Sequence, residues 1–412
     1  MSFYTQSLKT EIQDPRINVS NTRAEFRLQD ENAVYLSNLR LANIGITATA
    51  DEWNAAAGSL AVIDSIILFD DGTELCAMRD FDLYSAWKNY HKDNAANKSI
   101  NNFLIKNALG YEVKGENTDT ASEKIAPLFD PVQYTTSEAT TKQGWLDLKS
   151  CMPFLASVSY LPQQVFKNLR LVINYKSAIG SSQNTTAPIL ITDQMVDSAS
   201  KQKLVSAFKG ASYVSVLHDS FVVDAVSGLT TTGETKTQEV AKMLKGYDNK
   251  VLNKLLVIFT PQTTDRENDY LGKLGSQMYL NQKVNIRVNG RNLLVGDGYD
   301  TPAKTLAGMN ETYGTHNTYM NRIALPADSN GQSVLGTQTT ATLGQQSYVG
   351  FLVREYIEQM ELEIKRDGEF DDGAADQTLV RNNASFVVNT FGECPTTLEV
   401  QPDGTYLIAY TA

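Results

Sequence analysis

Histidine and cysteine are scarce in this chain of 412 residues, with three of each, and their scarcity excludes several kinds of chemistry. Cys76, Cys151 and Cys394 lie far apart, are odd in number and form no CxxC pair, so neither a disulfide framework nor a zinc site is expected. They read as reduced, mostly buried thiols of a chain that matures in a reducing compartment. A cupin-type metal enzyme needs two or three histidines and a carboxylate converging on one ion. His91, His218 and His316 are remote from one another and show no HxH or HExxH spacing. Surplus basic charge is also missing. The 36 Lys and Arg are scattered and stand against 47 Asp and Glu, a formal net charge of −11, which argues against sequence-specific nucleic-acid binding. No run of about twenty apolar residues is present, and the N-terminal MSFYTQSLKTEIQDPRINVSN lacks the apolar core of a signal peptide. Synthesis in the cytosol is the expectation.

Motifs for covalent chemistry are absent too. There is no GxSxG elbow, and Asp219, adjacent to His218 on a strand, points to the opposite side and cannot be its triad partner. Gly296-Asp297-Gly298 lacks the rest of a phosphate loop and reads as a turn between a hairpin and a helix. The acidic stretch DGEFDDGAAD (367–376) does not have EF-hand spacing and reads as a solvated loop or subunit contact. Tyr84, Trp87, Tyr90, Tyr279, Phe351 and Tyr356 form no clustered sugar-binding motif and read as core or interface packing. No catalytic, cofactor-binding or metal-ligating residue is expected, and the protein is expected not to be an enzyme.

Alternating strands are what the chain does have, and 42% hydrophobic residues suffice for two large cores. Residues 1–22 read as a polar N-terminal arm that orders only against a neighbour. In 62–78, VIDSIILFDDGTELCAM, the alternation places Ile63, Ser65, Ile67 and Phe69 on one side of a hairpin that turns at Asp70-Asp71-Gly72. DFDLYSAWKNYHK then reads as a helix with Leu83, Trp87 and Tyr90 on one stripe. Leu39 and Leu41 face inward before the hairpin, and Leu169, Leu171, Ile173 and Tyr175 do so in LRLVINYK. The polar run SAIGSSQNTT suggests a linker over 179–197, followed by a helix capped by Asp197 or Ser198 with Gly210 after its end. A second hairpin turns at Asn289-Gly290 and is again followed by a helix, with Thr301 as cap and Pro302 in the first position. Leu256 and Ile258 in KLLVIFT, and Met360, Leu362 and Ile364 in QMELEIKRD, are the expected core of this half. Hairpin then helix, twice, half a chain apart, indicates one duplicated β-rich unit. The expected fold is all-β with short inserted helices: two tandem eight-stranded jelly-roll sandwiches over 23–178 and 198–412, with 328–347 as a surface excursion.

The runs AVYLSNLRLANIGI and AVIDSIILFDDGTELCAM, with the helix ending in WKNYHKDNAANKSINNFL, resemble the first jelly roll of double-jelly-roll major capsid proteins of tailless double-stranded DNA viruses, those of Polinton-like viruses and virophages foremost. The resemblance is strongest over 25–110, weaker at 165–178, and architectural beyond. It implies homotrimers shaped as pseudo-hexagons and a shell tiled by neighbouring trimers in a virion. It also implies penton and minor capsid proteins as further partners and leaves room for an internal membrane. The alternative is a carbohydrate- or receptor-binding β-sandwich such as a viral spike or minor vertex protein.

Overall fold

The computed structural model describes residues 8–28, 32–48, 63–88, 140–176, 184–228, 235–261, 283–314, 348–369 and 385–410. His91, His316, Tyr90, Tyr279, the excursion 328–347 and acidic residues 370–376 lie outside them. Among the described residues four antiparallel sheets pair into two sandwiches. The second is an eight-stranded jelly roll with one added strand. One of its sheets runs Gly210–Val223, Phe386–Val400, Lys250–Pro261, Tyr348–Ile357, with Tyr406–Ala409 added beside Phe386–Val400. The other runs Thr235–Met243, Met360–Glu369, Lys283–Val288, Arg291–Asn292. Strands adjacent in space are mostly distant in sequence, as the crossovers of a jelly roll require. The first sandwich is larger than expected, with sheets of seven and five strands.

The second core forms where alternation predicts it: Met360, Leu362 and Ile364 turn inward against Val284, Ile286 and Val288. Their outward neighbours make a charged ladder, with Arg287 between Glu361 and Glu363 at 3.1 and 2.5 Å and Lys365 on Glu239 at 2.6 Å. Exposed pairs of this kind contribute about 0–1 kcal/mol each and mainly keep the face in water. Leu256 and Ile258 are buried but face away from this core. Leu255, Val257 and Phe259 fill it, while Leu256 and Ile258 join the cluster that reaches into the first sandwich. The strand Lys250–Pro261 is thus covered on both faces, which its continuous apolar run allows.

In the first sandwich Leu39, Leu41, Leu169, Leu171, Ile173 and Tyr175 are core residues. The first hairpin turns on Asp71-Gly72, with Asp71 at φ 52°. Its inward set is not the expected one. A register shift opposite Asn174/Tyr175 leaves Ile63 on the same face as Ile66 and Leu68, which fill the core. One inserted residue flips every side chain after it. Ile67 therefore lies on the other face, 8% exposed, and Phe69 is half-buried with the Arg170 guanidinium over its ring at 5.5 Å.

The arm and the linker are also redrawn. Leu8–Gln13 pairs residue for residue with Leu190–Met195, and Ile17–Val19 pairs with Arg23–Glu25, so these segments order against their own chain. Residues 184–185 and 189–195, inside the expected linker, are strands of the same sheet. Their pattern hid them because Thr192, Asp193 and Gln194 are all buried polar groups. Asp193 is satisfied by the side chains of Arg40 at 2.7 Å, Asn38 at 2.8 Å and Thr10. The helix Ser198–Ala207 is capped by Asp197, which accepts from the Ser200 amide. Gly210 is not its C-terminal cap but the first residue of a strand. There it sits at φ 140° with Leu398 O only 2.0 Å from where a Cβ would stand.

Candidate functional site: the seam between the sandwiches

The helices that follow the two hairpins meet where the sandwiches join. Phe81–Trp87 brings Trp87, fully buried, edge-on to Tyr313 of the helix Pro302–Tyr313 at 4.9 Å. Thr301 caps that second helix by accepting from the Lys304 amide. Tyr84 packs on Phe391 at 5.3 Å, and Phe154, from the short helix Pro153–Ser157, on Tyr213 at 5.2 Å. A single apolar cluster therefore runs from Leu68, Trp87 and Phe154 to Tyr213, Ile258, Met309 and Phe391.

Polar ties cross the same seam. Tyr213 donates to the Leu75 carbonyl at 2.8 Å, and Tyr406 to Asp70 Oδ2 at 2.9 Å. His218 Nε2 lies 3.1 Å from Asp80 Oδ2, with its ring 4.9 Å from Phe391. Beside them, within the second sandwich, Lys254 stands 3.9 Å from Glu393 and over the Tyr313 ring. Buried aromatic pairs and hydrogen bonds in this number hold the two sandwiches side by side as one body.

The candidate chemical residues have local roles. Asp219 does not serve His218: its carboxylate accepts from the amides of Ser220 at 2.9 Å and Lys245 at 2.8 Å. The turn around Gly296-Asp297-Gly298 is tied down by Asn285, whose amide nitrogen donates to the Leu294 and Gly296 carbonyls. Gly298 has φ 74°, and a Cβ there would meet Val284 O at 2.4 Å. The glycine serves backbone geometry, so Gly298→Ala should lower stability by about 2 kcal/mol or more, read as a fall in melting temperature. Trp87 and Phe351 are fully buried, which removes them from any sugar platform, while Tyr356 is half-exposed. Cys76, Cys151 and Cys394 are free, and burial pushes each thiol up to about 12. Among the described residues no group of three or more His, Cys, Asp or Glu could hold a metal ion, and no helix is long and apolar enough to cross a membrane.

Sequence reasoning missed Asp80, Asp82 and Lys176 at this seam. The pairing of Asp80 with His218 spans 138 residues, and no local signal marks it; the left-handed backbone of Asp80, φ 43°, is visible only in the fold. It also missed three exposed apolar residues of the first sandwich. Ile12, 69% exposed, with Ile17 and Val19, stands on consecutive outer strands of the two sheets.

No family model matches the chain, and no curated protein matches it. Solved structures do. VP54 of PBCV-1, fitted into a reconstruction of the virophage Sputnik, is 11% identical with a TM-score of 0.57, over 100% of this chain and 98% of that one. The mavirus major capsid protein is 11% identical with a TM-score of 0.55, over 100% of this chain and 91% of that one. A quasi-atomic model of the PBCV-1 capsid gives 12% and 0.55 over the same span of this chain. At such identities the likeness is one of fold, and it covers both sandwiches and the seam. The chain has the double-jelly-roll fold of these viral major capsid proteins.

Proposed function

We propose that the protein is a major capsid protein whose work is self-assembly. The observation that carries this reading is the likeness of fold along the whole chain, two sandwiches included, to proteins that are capsid subunits. Two similar sandwiches fixed side by side give one chain two of six roughly equivalent corners. Three chains complete a pseudo-hexagon, a shape that tiles a surface, and closed cyclic symmetry buries the flanks. Ile12, Ile17 and Val19, exposed on strands of the first sandwich, supply apolar area for such a contact. An obligate interface of this kind exceeds about 2,000 Å². The net charge of −11 keeps free trimers soluble until they meet their neighbours. Neighbouring trimers, penton and minor capsid proteins are the proposed partners, the virion the proposed location, and the cytosol of the host cell the proposed place of synthesis. No covalent chemistry is assigned to any residue.

Native mass spectrometry of the purified chain should report three times its 45.5 kDa, or larger assemblies in multiples of that trimer. A stable monomer or dimer at micromolar concentration contradicts the proposal and promotes a binding β-sandwich instead.

A further inference from the structure

A lysine and an aspartate meet inside the first sandwich, where water does not reach. Asp82, in the first turn of the helix Phe81–Trp87, is 0% exposed, and Lys176, directly after the strand Leu169–Tyr175, is 6% exposed. Their neighbours along the chain are core residues: Phe81 and Leu83 flank the aspartate, and Tyr175, paired across the sheet with Ile63, precedes the lysine. Nζ of Lys176 lies 2.6 Å from Oδ2 of Asp82. The two groups are in contact, yet among the described residues neither Asp82 oxygen has an aligned hydrogen-bond donor. A buried ion pair offsets its desolvation through good geometry and through hydrogen bonds to the remaining lone pairs. This carboxyl group has neither, and what the site does hold is an amine pressed against a carboxyl group in a dry interior.

We propose that Lys176 and Asp82 condense to an isopeptide bond, a covalent tie between the helix Phe81–Trp87 and the strand Leu169–Tyr175 that forms within the folded chain. The ammonium passes one proton to the carboxylate it touches, leaving an amine and a carboxylic acid. Burial disfavours charge on both partners and so favours this exchange. It pushes the Asp82 carboxyl up to about 6 against the pull of Lys176, the direction the exchange needs. The Nζ lone pair then adds to Cγ of Asp82, the bond from Cγ to the hydroxyl breaks, and the hydroxyl leaves as water with a proton from the nitrogen. One C–N bond is gained and one water is lost, and the balance calls for no oxidant, reductant or co-reactant. Held contact takes the place of encounter, and reacting groups positioned in this way reach effective molarities of about 10⁵–10⁸ M. The same packing keeps bulk water from the new carbonyl, which protects the bond from hydrolysis. The tied helix is the one that carries Trp87 to Tyr313, so the bond anchors an element of the seam.

Mass spectrometry of the full-length chain, purified folded and denatured for the measurement, tests the bond. Most wild-type molecules should weigh one water less than their sequence, whereas Lys176→Arg, which keeps the charge but not the amine, should have its full mass. After digestion with trypsin, residues 80–88 should be found joined to residues 171–201, with the chain uncut after Lys176. That branched peptide distinguishes the tie from loss of water at an aspartate–glycine turn. If Lys176→Arg does not fold, the wild type alone decides. A full-mass wild type whose peptides 80–88 and 171–176 are recovered separately, both when fresh and after incubation in the folded state, overturns the inference. Neither readout depends on the oligomeric state, so failure here leaves the capsid reading untouched, and failure there leaves this one.

Discussion

Leu171→Asp should yield no soluble protein. Leu171 lies in the middle strand of its sheet, opposite Phe26 on one side and Leu68 on the other, and is 1% exposed inside the shared core. Its neighbours in that cluster are apolar, so the carboxylate must either be buried among them or take up a proton. Either course costs several kcal/mol, against a typical net stability of about 5–15 kcal/mol. Leu171→Val, which removes about one methylene and adds no charge, should fold with a loss of roughly 1 kcal/mol. The comparison separates burial of charge from loss of packing. Wild-type yield and an unchanged melting temperature for Leu171→Asp would mean that this face of the strand is not the interior.

Deleting residues 1–22 should be nearly as damaging. Read as a solvated arm, the segment would be dispensable for folding. The structure makes it two strands. Leu8–Gln13 covers the backbone edge of Leu190–Met195, and Ile17–Val19 covers that of Arg23–Glu25. Removal strips Thr10 from the buried carboxylate of Asp193 and Leu8 from the small cluster of Val34, Met195 and Leu204. It also leaves two sheet edges open to pairing with other chains. The truncated chain should aggregate, or melt roughly 10 °C or more below the full-length protein. Folding at wild-type stability with assembly alone impaired would restore the arm reading.

These two cases show what the chain reveals locally and what it does not. The inward faces of Leu169–Tyr175 and of Met360–Ile364 follow from strict alternation, and so does the Asn289-Gly290 turn, where φ of 49° and 81° demands those residue types. Pattern fails where a strand has no polar face or carries an irregularity. Ile189–Met195 buries Thr192, Asp193 and Gln194, so its periodicity vanishes. Ile67 and Phe69 are displaced by a single register shift at Asp64, the extra residue between the pairs Ile63–Tyr175 and Ser65–Asn174, which nothing in the local pattern marks. The seam was legible only in outline. Recurrence of hairpin then helix pointed to a duplication, but only the fold brings Trp87 onto Tyr313 and Asp80 onto His218. Contacts between distant segments leave no mark on local periodicity.

On the proposed reading, two locked sandwiches per chain build a threefold, six-cornered subunit. Electron microscopy of the purified, full-length protein tests it most directly. Class averages should show compact particles with six lobes around a threefold axis, or shells tiled by them. Isolated two-lobed particles at micromolar concentration, with no six-lobed class, would contradict the account.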